Sequence, residues 1–160
     1  MKRAAVLLIL TSLALGACGS PYMPAVPQPL STSTVLPPKP SAFQRWTADQ
    51  VVAAFKAAGC EAYFPKPLTQ GDYGAAPQLA VDTLRVIPLS LTGEGGPRVY
   101  IFSFATQADL DKTRQYYLDR ARSNYDIFSS TFSHDNILVQ ALGVPGFFAR
   151  QYDAALQAMK

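Results

Sequence analysis

Apolar positions change period several times along the chain, and each change marks an element. Val51, Phe55 and Ala58 fall on one helical face, with Val52 beside them. Thr47 and Gln50 form a capping box before that run, Trp46 and Val51 fit a hydrophobic staple, and Gly59 ends the helix in the left-handed position. Glu61 to Phe64 reads as a short strand stopped by Pro65 and Pro67. Val81 to Leu91 and Arg98 to Ala105 then alternate in the β-branched, aromatic manner of strands, joined by a glycine-rich hairpin loop at 92–97. Thr106 caps a helix over 107–122, with Leu110, Tyr117 and Ala121 on its core face. Ile127 to Ser133 and Asn136 to Leu142 form a second hairpin around His134-Asp135, with Asp135-Asn136 supplying turn chemistry. Val144-Pro145-Gly146 opens a last helix, with Phe148, Tyr152, Ala155 and Met159 at helical spacing and Phe147 off the stripe.

This order predicts an α+β domain: an antiparallel sheet of four to five strands with helices packed on one face. It also fits two tandem α-β-β units, each a Thr-led helix followed by a hairpin. The stretch from Trp46 to Lys160, 115 residues, is long enough for one compact domain. Thr69 to Gln78 is its longest irregular piece; Asp72 and Tyr73 within it and Lys66 just before it are the chemically interesting side chains. The simpler reading there is a solvated connection packed by Tyr73.

The first 45 residues follow another pattern. Lys2 and Arg3 are followed by a charge-free run from Ala4 to Leu15, then the small residues Gly16 and Ala17 and a cysteine. A charged start, a short apolar run and a small-residue cleavage site make a secretory signal. The run is about a dozen residues, and a spanning helix needs about 20. From Gly19 to Arg45 the chain carries seven prolines around Ser31-Thr32-Ser33-Thr34. Such a segment cannot build a core and reads as a linker, about 30 Å long as a coil and about 80 Å as polyproline II. The expected division is a signal at 1–17, an anchor and tether at 18–45, and a domain at 46–160.

Leu15-Gly16-Ala17-Cys18 resembles the lipobox of bacterial lipoproteins. The resemblance implies cleavage between Ala17 and Cys18, a diacylglyceryl thioether on the Cys18 thiol, and acylation, such as by palmitate, of its freed amine. Two or three acyl chains make a stable anchor where one binds only marginally. The implied location is the extracytoplasmic face of the cell membrane or outer membrane. An Asp after the cysteine would commonly signal inner-membrane retention, and Gly19 lacks it. An ordinary secretory signal, with Cys18 removed or disulfide-bonded, is the alternative.

Charge and candidate chemistry narrow the function. Loss of residues 1–17 removes Lys2 and Arg3, leaving 12 basic against 11 acidic side chains, a net charge of +1. No basic cluster supports a nucleic-acid partner. With Cys18 lipidated, Cys60 has no partner and reads as a small buried hydrophobe, a reactive thiol being the lesser alternative. The three glycines of the 92–97 loop lack the helix and the Lys-Ser/Thr pair of a phosphate loop. His134, the single histidine, stands beside Asp135 and near Ser129, Ser130 and Ser133. Those serines have no nucleophile-elbow context, and a metal site needs three or four converging ligands. His134 is therefore read as a polar hairpin residue.

The tandem order is similar to the α-β-β arrangement of β-lactamase inhibitory proteins, without shared binding residues. Trp46-Thr47-Ala48-Asp49-Gln50-Val51-Val52 and His134-Asp135-Asn136-Ile137-Leu138-Val139-Gln140 resemble stretches of uncharacterised bacterial envelope lipoproteins, which implies an address and no activity. The expected function is a lipid-anchored, non-enzymatic binding or envelope-maintenance domain, with the membrane and a protein or envelope component as partners and no cofactor or metal. The alternatives are an envelope hydrolase or metal-dependent enzyme using His134 with Asp135 or Asp126, and an inhibitor of an envelope enzyme.

Overall fold

A computed structural model of the chain describes residues 43–91, 96–123 and 129–160. Ala17, Cys18 and the tether as far as residue 42 lie outside the described residues, as do the hairpin tip at 92–95 and residues 124–128, including Asp126. Among the described residues the elements run α1 (Ala48–Ala57), β1 (Tyr63–Lys66), α2 (Gln70–Tyr73), β2 (Asp82–Ile87), β3 (Arg98–Ser103), α3 (Gln107–Ser123), β4 (Ser129–His134), β5 (Ile137–Leu142) and α4 (Gly146–Gln157). The fold is α+β, built on one open antiparallel sheet in the order β1-β2-β3-β5-β4.

Side chains alternate across each strand, so the register decides the two faces. Leu84 and Val86 of β2, Val99 and Ile101 of β3, and Ile137, Val139 and Ala141 of β5 share one face. There they meet Val51, Val52 and Phe55 of α1 and Ala149, Tyr152 and Leu156 of α4. Tyr100, Phe102 and Leu138 point the other way, onto Leu110 and Tyr117 of α3. Each large apolar side chain fully buried in these layers contributes about 1.5–3 kcal/mol.

The helices therefore occupy both faces of the sheet, which corrects the expectation of one covered face. The reason is visible in β3 and β5, whose residues are buried on both sides almost throughout. A strand apolar on both sides needs a layer above and a layer below. The chain order of two α-β-β units is present, but α1 and α3 lie on opposite faces. A rotation about an axis normal to the sheet would carry β2–β3 onto β4–β5 and leave both helices on one face, so that symmetry does not relate the units.

Local chemistry sets the element ends. The Thr47 amide donates to Gln50 Oε1 at 2.9 Å and the Gln50 amide donates to Thr47 Oγ1 at 3.3 Å, completing the capping box. Asp82 adds a third cap from the sheet, accepting the Ala48 amide at 2.8 Å. At the other end Gly59 has φ +76°, the Cys60 amide reaches Phe55 O, and the Gly59 amide reaches Lys56 O. This is the Schellman arrangement, which a glycine without a Cβ adopts at low strain. Ala58 and Ala121, expected on core faces, are exposed at helix ends.

Two further differences concern β1 and the following loop. The strand lies over Tyr63–Lys66 and includes Pro65, because β1 is an edge strand where a missing donor is tolerated. Its pairing with β2 is irregular between Tyr63 and Lys66, and Phe64 there has φ +49°. The loop expected at 69–78 contains the short helix α2, whose Asp72 carboxylate accepts from the Thr69 amide and hydroxyl at 2.8 and 2.7 Å. Phe43 and Arg45, assigned to the tether by composition, pack on and bond to the domain.

Candidate functional site

Two polar constellations are built into this frame. The first is the β4–β5 turn, where the sequence placed its only histidine. His134 pairs with Ile137 across a two-residue turn, and Asp135 takes φ +48°, a conformation Asp tolerates better than most residues. The turn aims Asn136 inward, where it is fully buried. Asn136 Oδ1 accepts the amides of Arg45 at 3.1 Å and Trp46 at 2.8 Å. Its Nδ2 donates to Trp46 O at 2.7 Å and Ser103 Oγ at 2.9 Å. Both lone pairs and both N–H groups are used, which also fixes the orientation of the amide.

His134 and Asp135 are occupied in the same construction. Asp135 Oδ2 accepts from Arg45 Nη1 and Trp46 Nε1, both at 3.1 Å. His134 Nδ1 lies 3.1 Å from Gln157 Oε1, and its Nε2 lies 3.1 Å from Met159 O and 3.6 Å from Asp135 Oδ2. Gln157 Nε2 is held by Ser133 O and Asp153 Oδ1, so its oxygen is the atom facing the ring. The ring thus ties the end of α4 to β4. Among the described residues no group of three or more His, Cys, Asp or Glu side chains is placed to hold a metal.

The second constellation was not singled out by the sequence as a site. Arg85, Tyr100, Gln140 and Thr131 form one row across β2, β3, β5 and β4, on the face covered by α3. Arg98, Leu142 and Ser129 form the next row outward. Toward this end the face turns from the Phe102–Leu138 core to polar chemistry, and a cleft of about 200 Å³ opens beneath the C-terminal part of α3. Gln140, fully buried in its wall, accepts from the Thr131 hydroxyl through Oε1 and donates to Ser129 Oγ at 2.6 Å through Nε2.

The electrostatics of the cleft are asymmetric. Asp72 lines it, but its carboxylate is neutralised from behind by Arg85 Nη1 at 2.7 Å and is only 6% exposed. Burial pushes the Asp72 pKa up, yet the Thr69 bonds and the Arg85 guanidinium together outweigh it and hold the group below the ordinary Asp range. Arg98 and Arg120 stand exposed on the cleft lining, and neither has a carboxylate partner among the described residues. Arg120 Nη1 reaches only the Tyr116 hydroxyl, at 3.4 Å. Gly74, at φ +58°, turns the chain beside that guanidinium; a Cβ there would lie 3.9 Å from Arg120 Nη1.

Tyr117 supplies the most unusual group. Its hydroxyl is buried without a hydrogen-bond partner, and burial, with the neighbouring Tyr116, Tyr100 and Tyr73, pushes its pKa far upward. It therefore remains a neutral hydroxyl. Leaving such a group unpaired costs about 1–3 kcal/mol. Arg85 Nε, in the same row as Tyr100, is likewise buried and unpaired.

Of the side chains singled out from sequence, Asp72, Tyr73 and Ser129 line the cleft, while Lys66, Ser130, Ser133 and His134 do not. The reading of Asp72 as part of a solvated connection is corrected by its partly buried ion pair with Arg85. Cys60 is a buried free thiol, its pKa raised by burial. The cleft residues Arg98, Tyr100, Tyr117, Arg120 and Gln140 escaped sequence reasoning. The available signal was the alternation of Arg98, Tyr100 and Phe102 on one face of a strand, which grades from charged to apolar.

No protein-family model, curated protein or solved structure matches the chain. The likeness in element order to β-lactamase inhibitory proteins thus gains no structural counterpart.

Proposed function

We propose that the chain is a non-enzymatic binding module displayed on a lipid anchor at Cys18, and that the domain takes a small solute in the α3-side cleft. The anchor rests on Leu15-Gly16-Ala17-Cys18 behind a charged start and on the proline-rich tether that follows. Binding rests chiefly on one observation: a single cleft is lined by two exposed arginines, Arg98 and Arg120, that have no carboxylate partner among the described residues. Like charges brought to one concave surface repel each other, and an anionic ligand that bridges them relieves that repulsion. The binding reading is also supported by the place of the single histidine, which packs against Gln157 Oε1 and Met159 O and does not line the cleft.

Native mass spectrometry of the full-length protein extracted from its own membrane tests both halves. The N-terminal peptide should begin at Cys18 with a diacylglyceryl mass increment. The intact protein should carry a small molecule that leaves on unfolding. An unmodified N-terminus would remove the anchor, and a protein that binds no solute from a broad extract of small metabolites would remove the binding reading.

A further inference from the structure

We propose that the cleft is selective for a small monocarboxylate with an apolar or aromatic body, its carboxylate held between Arg98 and Arg120. This rests on the reading of the cleft as a binding site and names the chemistry that fills it.

Charge sets the first term. Arg98 and Arg120 bring two positive charges to the lining, and Asp72 does not offset them, because Arg85 already neutralises it. The opposing term is the C-terminus of α3, equivalent to roughly half a negative charge. Among the described residues a surplus of between one and two positive charges remains, which suits one carboxylate. Arginine presents the planar N–H fork that matches a carboxylate in two parallel hydrogen bonds.

The walls set the second term. Tyr100 and Leu142 carry the sheet side of the cleft, and Tyr117 lies on the helix side. Tyr100 and Tyr117 are nearly buried and Leu142 is partly exposed, so the apolar surface offered is small and suits a small apolar body rather than a large one. Gln140 is already committed to Thr131 and Ser129, which leaves the two arginines as the polar anchors of the lining. A cleft of about 200 Å³ is below the usual range for drug-sized ligands, which limits the occupant to a small molecule.

Calorimetric titration of the full-length protein in nonionic detergent tests the inference with three matched probes: phenylacetate, phenylacetamide and phenethylamine. Phenylacetate is expected to bind at least tenfold more tightly than the amide, with no measurable binding of the amine. Arg98→Gln and Arg120→Gln should each weaken phenylacetate at least fivefold while leaving the melting temperature within a few degrees, since both side chains are exposed. Equal affinity for phenylacetate and phenylacetamide would overturn the carboxylate assignment and leave the cleft standing as a binding site. Binding of phenylacetate unaffected by both substitutions would place its site elsewhere and overturn the inference. Absence of binding by all three probes would overturn both the inference and the binding reading beneath it.

Discussion

Asn136 grips the backbone of Trp46 from both sides, accepting its amide at 2.8 Å and donating to its carbonyl at 2.7 Å. The two residues are 90 positions apart. Together they form a clasp between the segment before α1 and the β4–β5 turn. Ser103 closes it, donating to Trp46 O at 2.8 Å while accepting from Asn136. Asn136→Ala should lower unfolding free energy by about 2–4 kcal/mol, because it strands several partly buried backbone groups at once. Urea denaturation followed by Trp46 fluorescence measures this, and a loss below about 1 kcal/mol would show that water replaces the amide.

The Asp72–Arg85 pair sets an acid dependence with a defined sign. The folded-state pKa of Asp72 is lowered from an ordinary value of 3.8. Its contribution is therefore complete above that value and is lost as pH falls through the lower folded value. Asp72→Asn should flatten this part of the stability profile below about pH 4 and lower stability at neutral pH by about 1–3 kcal/mol. Arg85 is 26% exposed and can rehydrate, which keeps the loss below that of a fully buried pair. Denaturation midpoints of the two proteins across pH 2–7 provide the check.

His134 ties the end of the chain to β4 through Gln157 Oε1 and Met159 O, donating its one N–H to either, so His134→Ala is expected to cost about 1–1.5 kcal/mol. That exceeds the change expected of a plain surface turn residue. Hydrogen exchange should accelerate at the end of α4, around Gln157 to Met159, more than in β2 or β3. Uniform acceleration through the sheet would contradict this local role.

Cys60 should react slowly. It is buried, and burial raises its pKa, so little thiolate is present or reachable near neutral pH. A thiol reagent should label the native protein slowly and the unfolded protein at once. Equal rates would show that the segment after α1 opens readily.

Much of the fold was legible because local chemistry and global packing agree. The capping box of Thr47 and Gln50, the left-handed Gly59 and the 134–137 hairpin all follow from residues adjacent in sequence. The two-sided sheet was less legible, although Val99-Tyr100-Ile101-Phe102 is a continuous apolar run that signals burial on both sides. The site was largely hidden. Arg98 and Arg120 look like ordinary solvated charges in the sequence, and only the register that places Arg98 beside Leu142 and Ser129 gives them a shared cavity. Asn136 read as a turn residue because a turn and a buried clasp use the same amide side chain.

The central claim is that this domain binds a small ligand in the cleft beneath α3. Backbone amide shifts recorded while phenylacetate is added to isotope-labelled full-length protein test it most directly. The account predicts saturable shifts concentrated at Arg98 to Tyr100, Tyr117 to Ala121 and Gln140 to Leu142. Shifts centred on His134 and Asp135, or none at saturating ligand, would contradict it.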